Sequence, residues 1–355
     1  MKKILLLATT PFLNDGLTKI EMDVFGYNKD IFQFSVASAF GFANQFGKEF
    51  AANGVPCYEL KPKKHVFQYM RSIYRLVSKN EFDTVYIHGN SAMMFLEALP
   101  VWFSGKCKIV THCHSTNSKY PVLHKLFKPF LNSIVTNKIA CSKEAADWAY
   151  SGDNIKIILN GVDLAKFAYD SAKREQMRNS LGLDNKFVVG HVGRFEPEKN
   201  HAFLIRFFEL LQKQIPEARL LLIGSGSVED NIKAQVMTRG LSEKVLFLGD
   251  TNRVSDYLQA MDLFVFPSLY EGFPLTVIEA QANGVQALVS DAVTEEVMRT
   301  GCARPVSLKS PIEDWVKIAV SCRFTKRCET QAVLKDEGFD LKRMMSNIQK
   351  VLLDS

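Results

Sequence analysis

The sequence predicts an α/β protein made of two doubly wound parallel-sheet domains. Three observations predict it. Short apolar runs alternate with longer helical patterns almost from end to end. The alternation is broken near the middle by the turn Asn160-Gly161-Val162-Asp163 and a polar segment rich in Lys, Asp and Ser. The length of 355 residues exceeds one core at a prior of roughly 150 residues per domain.

The elements follow in chain order. Apolar runs at 4–8, 32–36, 84–88, 108–113, 138–141 and 155–159 read as strands of a first series, with helical segments such as 66–77 and 92–102 between them. A second series runs through 187–192, 220–223, 245–248, 263–266 and 287–289. Strands that are apolar throughout lack a wet face, so each sheet must be covered by helices on both sides, as βαβ units provide. In such sheets ligands sit beyond the carboxyl ends of the strands. With two facing domains, the cleft between them is the expected site.

Composition narrows the function classes. Hydrophobic residues make up 47% and charged residues 23%, which excludes a disordered chain, a collagen-like repeat and a disulfide-dense module. A net charge of +6 is too small for a histone-like nucleic-acid binder, and no nucleic-acid partner is expected. The seven cysteines are odd in number and form no CxxC pair, which reads as reduced thiols in a cytoplasmic protein. Residues 1–8 faintly imitate a signal peptide, but Pro11, Asn14 and Asp15 follow without a cleavage pattern, so a first strand is expected. No run reaches the roughly 18 apolar residues of a membrane span.

The charge is unevenly placed. Residues 1–170 hold 20 basic and 14 acidic side chains, so the whole formal +6 lies there. The stretches 61–79 and 99–143 contain no carboxylate. The run Lys119-Tyr120-Pro121-Val122-Leu123-His124-Lys125-Leu126-Phe127-Lys128 mixes cations with apolar groups, a combination suited either to an anionic leaflet or to a solvated helix face.

Three motifs follow strands of the second series. In His191-Val192-Gly193-Arg194-Phe195-Glu196-Pro197-Glu198-Lys199, glycine permits close backbone approach, and Arg194 and Lys199 can neutralise a diphosphate or pair with the local glutamates. Gly224-Ser225-Gly226 is half of a dinucleotide fingerprint or a tight turn. In Tyr270-Glu271-Gly272-Phe273-Pro274-Leu275-Thr276-Val277-Ile278-Glu279, a helix should start near Pro274, and its free N–H groups suit an anion. Glu271 and Glu279 are placed to accept sugar hydroxyls, or Glu279 pairs with a cation inside the fold. A nicotinamide dehydrogenase is disfavoured because the full Gly-x-Gly-x-x-Gly and its acidic partner are missing.

These motifs, with Ala140-Cys141-Ser142-Lys143 and Thr111-His112-Cys113-His114-Ser115, resemble the retaining GT-B glycosyltransferases of family 4. Glu198-Lys199-Asn200-His201 and Ser290-Asp291 with Glu295-Glu296-Val297 are similar to bacterial capsule and exopolysaccharide transferases. The resemblance implies the GT-B architecture, two facing Rossmann-like domains with an interdomain cleft. Residues 1–165 would bind acceptor and 166–340 donor, with a helix at about 341–355 packing back on the first domain. It implies that Arg194 and Lys199 hold the donor diphosphate, Glu271 the donor sugar and Glu279 the ribose. Gly193, Gly224, Gly226, Gly272, Phe273, Pro274 and Leu275 would complete the donor site, with Arg253 in the loop beside the base. His114, in preference to His112 on the strand, would stand next to the transferred sugar.

The first strand-to-helix loop, Leu13-Asn14-Asp15-Gly16-Leu17-Thr18, carries the single Gly16 where the family often has two glycines. No Asp-x-Asp occurs, so neither metal nor cofactor is expected beyond a nucleotide-diphosphate sugar, UDP-sugar favoured. The implied partners are that donor, a saccharide or lipid-linked saccharide acceptor and an anionic membrane surface on the cytoplasmic side. The competing readings are a GT-B sugar-nucleotide epimerase and a non-catalytic sugar-nucleotide-binding protein.

Overall fold

The computed structural model describes residues 1–13, 15–42 and 45–355. Asn14 of the loop singled out above lies outside the described residues. The chain forms two compact units, Met1–Asn160 with Lys342–Ser355, and Gly161–Leu341.

Unit 1 is built on seven parallel strands: β1 Lys3–Ala8, β2 Gln33–Ser38, β3 Cys57–Glu59, β4 Thr84–Gly89, β5 Lys108–Cys113, β6 Asn137–Ala140 and β7 Ile155–Ile157. Their order is β3-β2-β1-β4-β5-β6-β7, so the winding reverses between β1 and β4. Leu5, Leu7, Val85 and Ile87 of those two strands are fully buried, which explains their unbroken apolar runs. The helix Gly16–Asn28 starts where the Asp15 side chain accepts from the Thr18 N–H at 2.9 Å. The helix Lys143–Ala149 is capped in the same way by Ser142.

Unit 2 has β8 Val188–Val192, β9 Arg219–Ile223, β10 Val245–Phe247, β11 Leu263–Phe266, β12 Gln286–Ser290 and β13 Ala303–Val306. The order β10-β9-β8-β11-β12-β13 puts the reversal between β8 and β11. One face of the core is filled by Leu204, Phe207, Phe208 and Trp315, and Trp315 meets the Phe203 ring edge-on at 5.2 Å.

Most strands lie within two residues of the expected runs. Two were not expected, β3 and β13. Both are at sheet edges, where a three-residue strand suffices and where Arg304 and Pro305 are tolerated because one side of the ladder is unpaired.

The passage between units falls at Asn160–Gly161 and again at Leu341–Lys342. Residues 161–165 go with unit 2 because the Val162 N–H donates to the Phe339 carbonyl and the Leu341 N–H to the Val162 carbonyl. A Cβ on Gly161 would lie 2.8 Å from the Leu341 backbone, so glycine lets these two stretches touch. The helix Leu341–Asp354 leads into unit 1, where Lys2 Nζ donates to the Ser355 carbonyl at 2.6 Å and Thr84 shares a hydrogen bond with the Ser355 hydroxyl.

Gly224 follows β9 with φ +131°, and a Cβ there would stand 2.2 Å from the Gly193 carbonyl oxygen. Backbone cannot swing aside as a side chain can. Gly224→Ala is therefore expected to destabilise the protein by about 1–3 kcal/mol. A urea midpoint equal to that of the native chain would contradict this packing.

Candidate functional site

The second unit gathers its chemistry at the strands flanking its reversal. Beyond β8 the Gly193 N–H donates to the Ile223 carbonyl at 3.0 Å, and the Phe195 N–H to Ser225 at 2.8 Å. The Gly224 N–H donates to Gly249 at 2.9 Å, so the turns after β8, β9 and β10 form one layer. A Cβ on Gly226 would come within 2.5 Å of the Phe195 carbonyl. Gly224 and Gly226 thus act by letting turns pack, with Gly193 beneath them.

Arg194 leaves this layer half-exposed and donates to Glu196 at 2.9 Å, while Ser227 donates to the other oxygen of that glutamate. A single 3-10 turn, Pro197–Lys199, follows. Asn200 then adopts φ 56° and its amide donates to the Pro267 carbonyl at 3.1 Å, which ties the β8 turn to the residue after β11. The Leu269 N–H adds a bond to the Glu198 carbonyl at 2.8 Å.

This clip brings Lys199 and Glu271 together, 72 positions apart in sequence, with Nζ to Oε1 at 2.6 Å. Their side chains are only 18% and 13% exposed, so salt screens the pair poorly. The ammonium also lies 5.1 Å from the centre of the Phe266 ring. Downstream, Gly272 is half-buried and Phe273, Pro274 and Leu275 are buried. They lead into the helix Leu275–Ala282, whose first N–H groups lack intrahelical acceptors. Glu279 is buried in that helix. Arg253 is paired locally, its Nε donating to Asp256 at 2.9 Å.

In unit 1, Gly16 is exposed as the first residue of its helix. His114 follows β5, and its N–H donates to the Gly89 carbonyl at 2.9 Å. His112 lies on β5 as expected, with Nδ1 2.9 Å from the Tyr86 hydroxyl. The sequence reading passed over His88, the penultimate residue of β4, whose Nδ1 is 3.0 Å from His114 Nε2. A histidine at the carboxyl end of a strand beside the reversal was the available signal. The ligating nitrogens of His88, His112 and His114 lie within 4.8 Å of one another, and all three side chains are buried.

Two parallel α/β units with chemistry at their strand ends define the GT-B class of fold. Superposition agrees: Anabaena HepE, crystallised with UDP and glucose, matches with a TM-score of 0.82 over 99% of both chains at 18% identity. The family model for glycosyl transferases group 1 matches residues 173–298, and that for glycosyltransferase family 4 matches residues 32–166. Together they cover well over half of the sequence, and the chain belongs to this glycosyltransferase family. EpsF of Bacillus subtilis (strain 168) is 28% identical over 80% of this chain and 78% of its own. The Escherichia coli UDP-Gal:alpha-D-GlcNAc-diphosphoundecaprenol alpha-1,3-galactosyltransferase is 31% identical over 62% of this chain and 60% of its own.

Burial holds the site histidines below the ordinary imidazole range. His114 is pushed down to about 3, with Asn160, beside the ring, offsetting part of the effect. For His88 and His112 burial is again the main cause, reinforced by neighbouring imidazoles. In unit 2, His191 is lowered to about 4, mostly by burial. An unfolded histidine titrates near 6.5, so below that pH the unfolded chain binds protons that the native chain refuses. The stability contributed by neutral burial is present above about pH 6.5 and lost as pH falls toward the native values. The urea midpoint is expected to drop between about pH 7 and about pH 5; an equal midpoint at both would refute buried neutral imidazoles.

Proposed function

We propose that the protein is a retaining, metal-independent glycosyltransferase. It moves a hexose-type sugar from a nucleotide-diphosphate sugar to a glycan or lipid-linked saccharide in bacterial surface polysaccharide synthesis. One observation carries the donor assignment: Arg194, Lys199 and the start of the helix Leu275–Ala282 follow β8 and β11, the strands that flank the sheet reversal. Open α/β sheets bind nucleotides at such a point. UDP is favoured as the nucleotide, in keeping with the UDP bound to HepE and the UDP-Gal named for the Escherichia coli relative. That relative's name also specifies a diphosphoundecaprenol-linked acceptor, the class of acceptor proposed for this chain.

Each cation is paired, Arg194 with Glu196 and Lys199 with Glu271. A diphosphate takes over both cations, and Glu271 is released to accept hydroxyls of the donor sugar. Glu279 accepts from the ribose, Arg253 stands by the base, and the N–H groups of Gly272, Phe273 and Leu275 donate to phosphate and sugar oxygens. As the bond from the anomeric carbon to phosphate oxygen breaks, positive charge grows on the sugar and negative charge on the leaving diphosphate. Arg194, Lys199 and the helix end oppose that negative charge. The acceptor oxygen bonds to the same face of the anomeric carbon, and its proton passes to the departing phosphate oxygen. His114 is the histidine assigned to contact the transferred sugar. With two cations and a helix dipole at the diphosphate, no divalent ion is required.

Arg194→Ala and Lys199→Ala should each raise the barrier by about 2.7–4 kcal/mol, the scale of a lost oxyanion donor, or roughly 10²- to 10³-fold in rate. The measurement is nucleotide diphosphate release across a panel of nucleotide sugars, with and without membrane lipid extract. Near-normal transfer by the double variant sinks the assignment. Altered sugar without release would point to epimerisation, and binding alone to a sensor.

The acceptor side is proposed to work peripherally on the inner face of the cytoplasmic membrane. No helix among the described residues is long and apolar enough to cross a membrane. Instead the adjacent helices Val66–Lys79, Phe95–Ser104 and Pro121–Ile134 expose Phe67, Phe103, Val122 and Phe130, and Arg71, Lys125 and the preceding Lys119 are exposed as well. Apolar groups enter the interface while cations meet anionic headgroups at about 1 kcal/mol each. Lys119→Glu with Lys125→Glu should weaken cosedimentation with anionic vesicles by tenfold or more. Binding that ignores both anionic lipid content and these reversals refutes the surface.

A further inference from the structure

His88 is not among the motif residues singled out above, yet its ring is hydrogen-bonded to His114. The two rings are parallel to within 5°, with centroids 5.2 Å apart, and Nδ1 of His88 meets Nε2 of His114 at 3.0 Å. Both ends of this pair are held by backbone. The Thr9 hydroxyl donates to the His88 carbonyl, and the His114 N–H to the Gly89 carbonyl. His88 Nε2 is buried and makes no hydrogen bond, while the His114 ring also has the Asn160 side chain as a hydrogen-bond partner. His112 packs against His114 at 3.9 Å between centroids, but its own Nδ1 is engaged by Tyr86.

We propose that His88 is a positioning residue for His114, and that their shared hydrogen bond forces both rings into the same tautomer. The reasoning is a count of protons. Each neutral imidazole carries one N–H, and the 3.0 Å contact needs one N–H and one lone pair. If His88 carries its proton on Nδ1, it donates to His114 Nε2, and His114 must carry its own on Nδ1. If His114 carries its proton on Nε2, it donates to His88 Nδ1, and His88 must carry its own on Nε2. Mixed states press two N–H groups or two lone pairs together. His88, together with the Asn160 side chain beside the ring, therefore sets whether Nδ1 of His114 offers a proton or a lone pair. This deepens the reading of His114 as the sugar-facing group and rests on it for its catalytic meaning, whereas the tautomer coupling stands on geometry alone.

The test uses tag-free full-length protein with ¹⁵N-labelled histidine, in which two-bond ¹H–¹⁵N spectra report the tautomer of each ring. His88 and His114 are expected to be both Nδ1–H or both Nε2–H; one of each overturns the proposal. His88→Phe keeps a ring but removes its nitrogens, and should move His114 to a different tautomer balance. An unchanged His114 spectrum in a folded variant overturns the proposal. His88→Asn, which restores a donor and acceptor near Nδ1, should return His114 toward its native state, and it supplies the same comparison if the phenylalanine variant does not fold. Zn²⁺ added to the native protein should leave the ring nitrogens unshifted; metal-bound shifts at all three histidines would overturn the proposal in favour of a metal centre. In transfer assays His88→Phe should lower kcat roughly tenfold or more, with the donor KM little changed and kcat partly restored in His88→Asn. Shared tautomers in a chain that transfers no sugar would uphold the hydrogen bond and refute only the assigned reaction.

Discussion

A parallel sheet wrapped by helices on both faces meets solvent chiefly at its strand ends, and this constraint governs where both units keep their polar chemistry. The strand interiors are apolar and buried, so charge can be carried economically only where strands stop. In unit 2 the two cations, the packed glycines and Glu271 all come just after β8, β9 or β11. In unit 1 the histidines cluster where β4 and β5 end. Removing helical cover from either sheet would expose apolar surface and deprive these groups of the dry surroundings that set their protonation.

Within that frame the two units handle charge differently. Unit 2 keeps its ionised groups paired: Lys199 with Glu271 and Arg194 with Glu196. Such pairs hold both cations in fixed positions at the strand ends. At the ends of β4 and β5 unit 1 excludes charge by burial, keeping His88, His112 and His114 neutral, with His88 hydrogen-bonded to His114 and His112 to Tyr86.

Much of the scaffold was legible in the sequence because buried parallel strands leave a dense local signal. The bounds of β5 and β11 coincide with their apolar runs, and the helix expected from Pro274 begins at Leu275. The edge strands β3 and β13 were not legible, since short edges carry little apolar periodicity. At the candidate site, Gly193, Arg194, Lys199 and Glu271 could be named from their motifs, but the Lys199–Glu271 pair depends on a clip between distant turns. Gly224 and Gly226 could be read from sequence as either half of a dinucleotide fingerprint or a tight turn; their close contacts with the backbone of Gly193 and Phe195 depend on a neighbouring strand turn that the motif does not show. His88 escaped because its meaning comes from a partner 26 positions away across neighbouring strands.

The return of residues 342–355 to unit 1 bears on how the protein is made. Strands β1 to β7 are translated first, yet Lys2 and Thr84 find their partner only at Ser355. Unit 2, contiguous from Gly161 to Leu341, has all its residues earlier than the unit that precedes it in the sequence. Synthesis therefore runs from an incomplete first sheet through a complete second one before the last helix can close the first. During that interval the apolar surface of unit 1 that Ile348 and Val351 cover stays open to water.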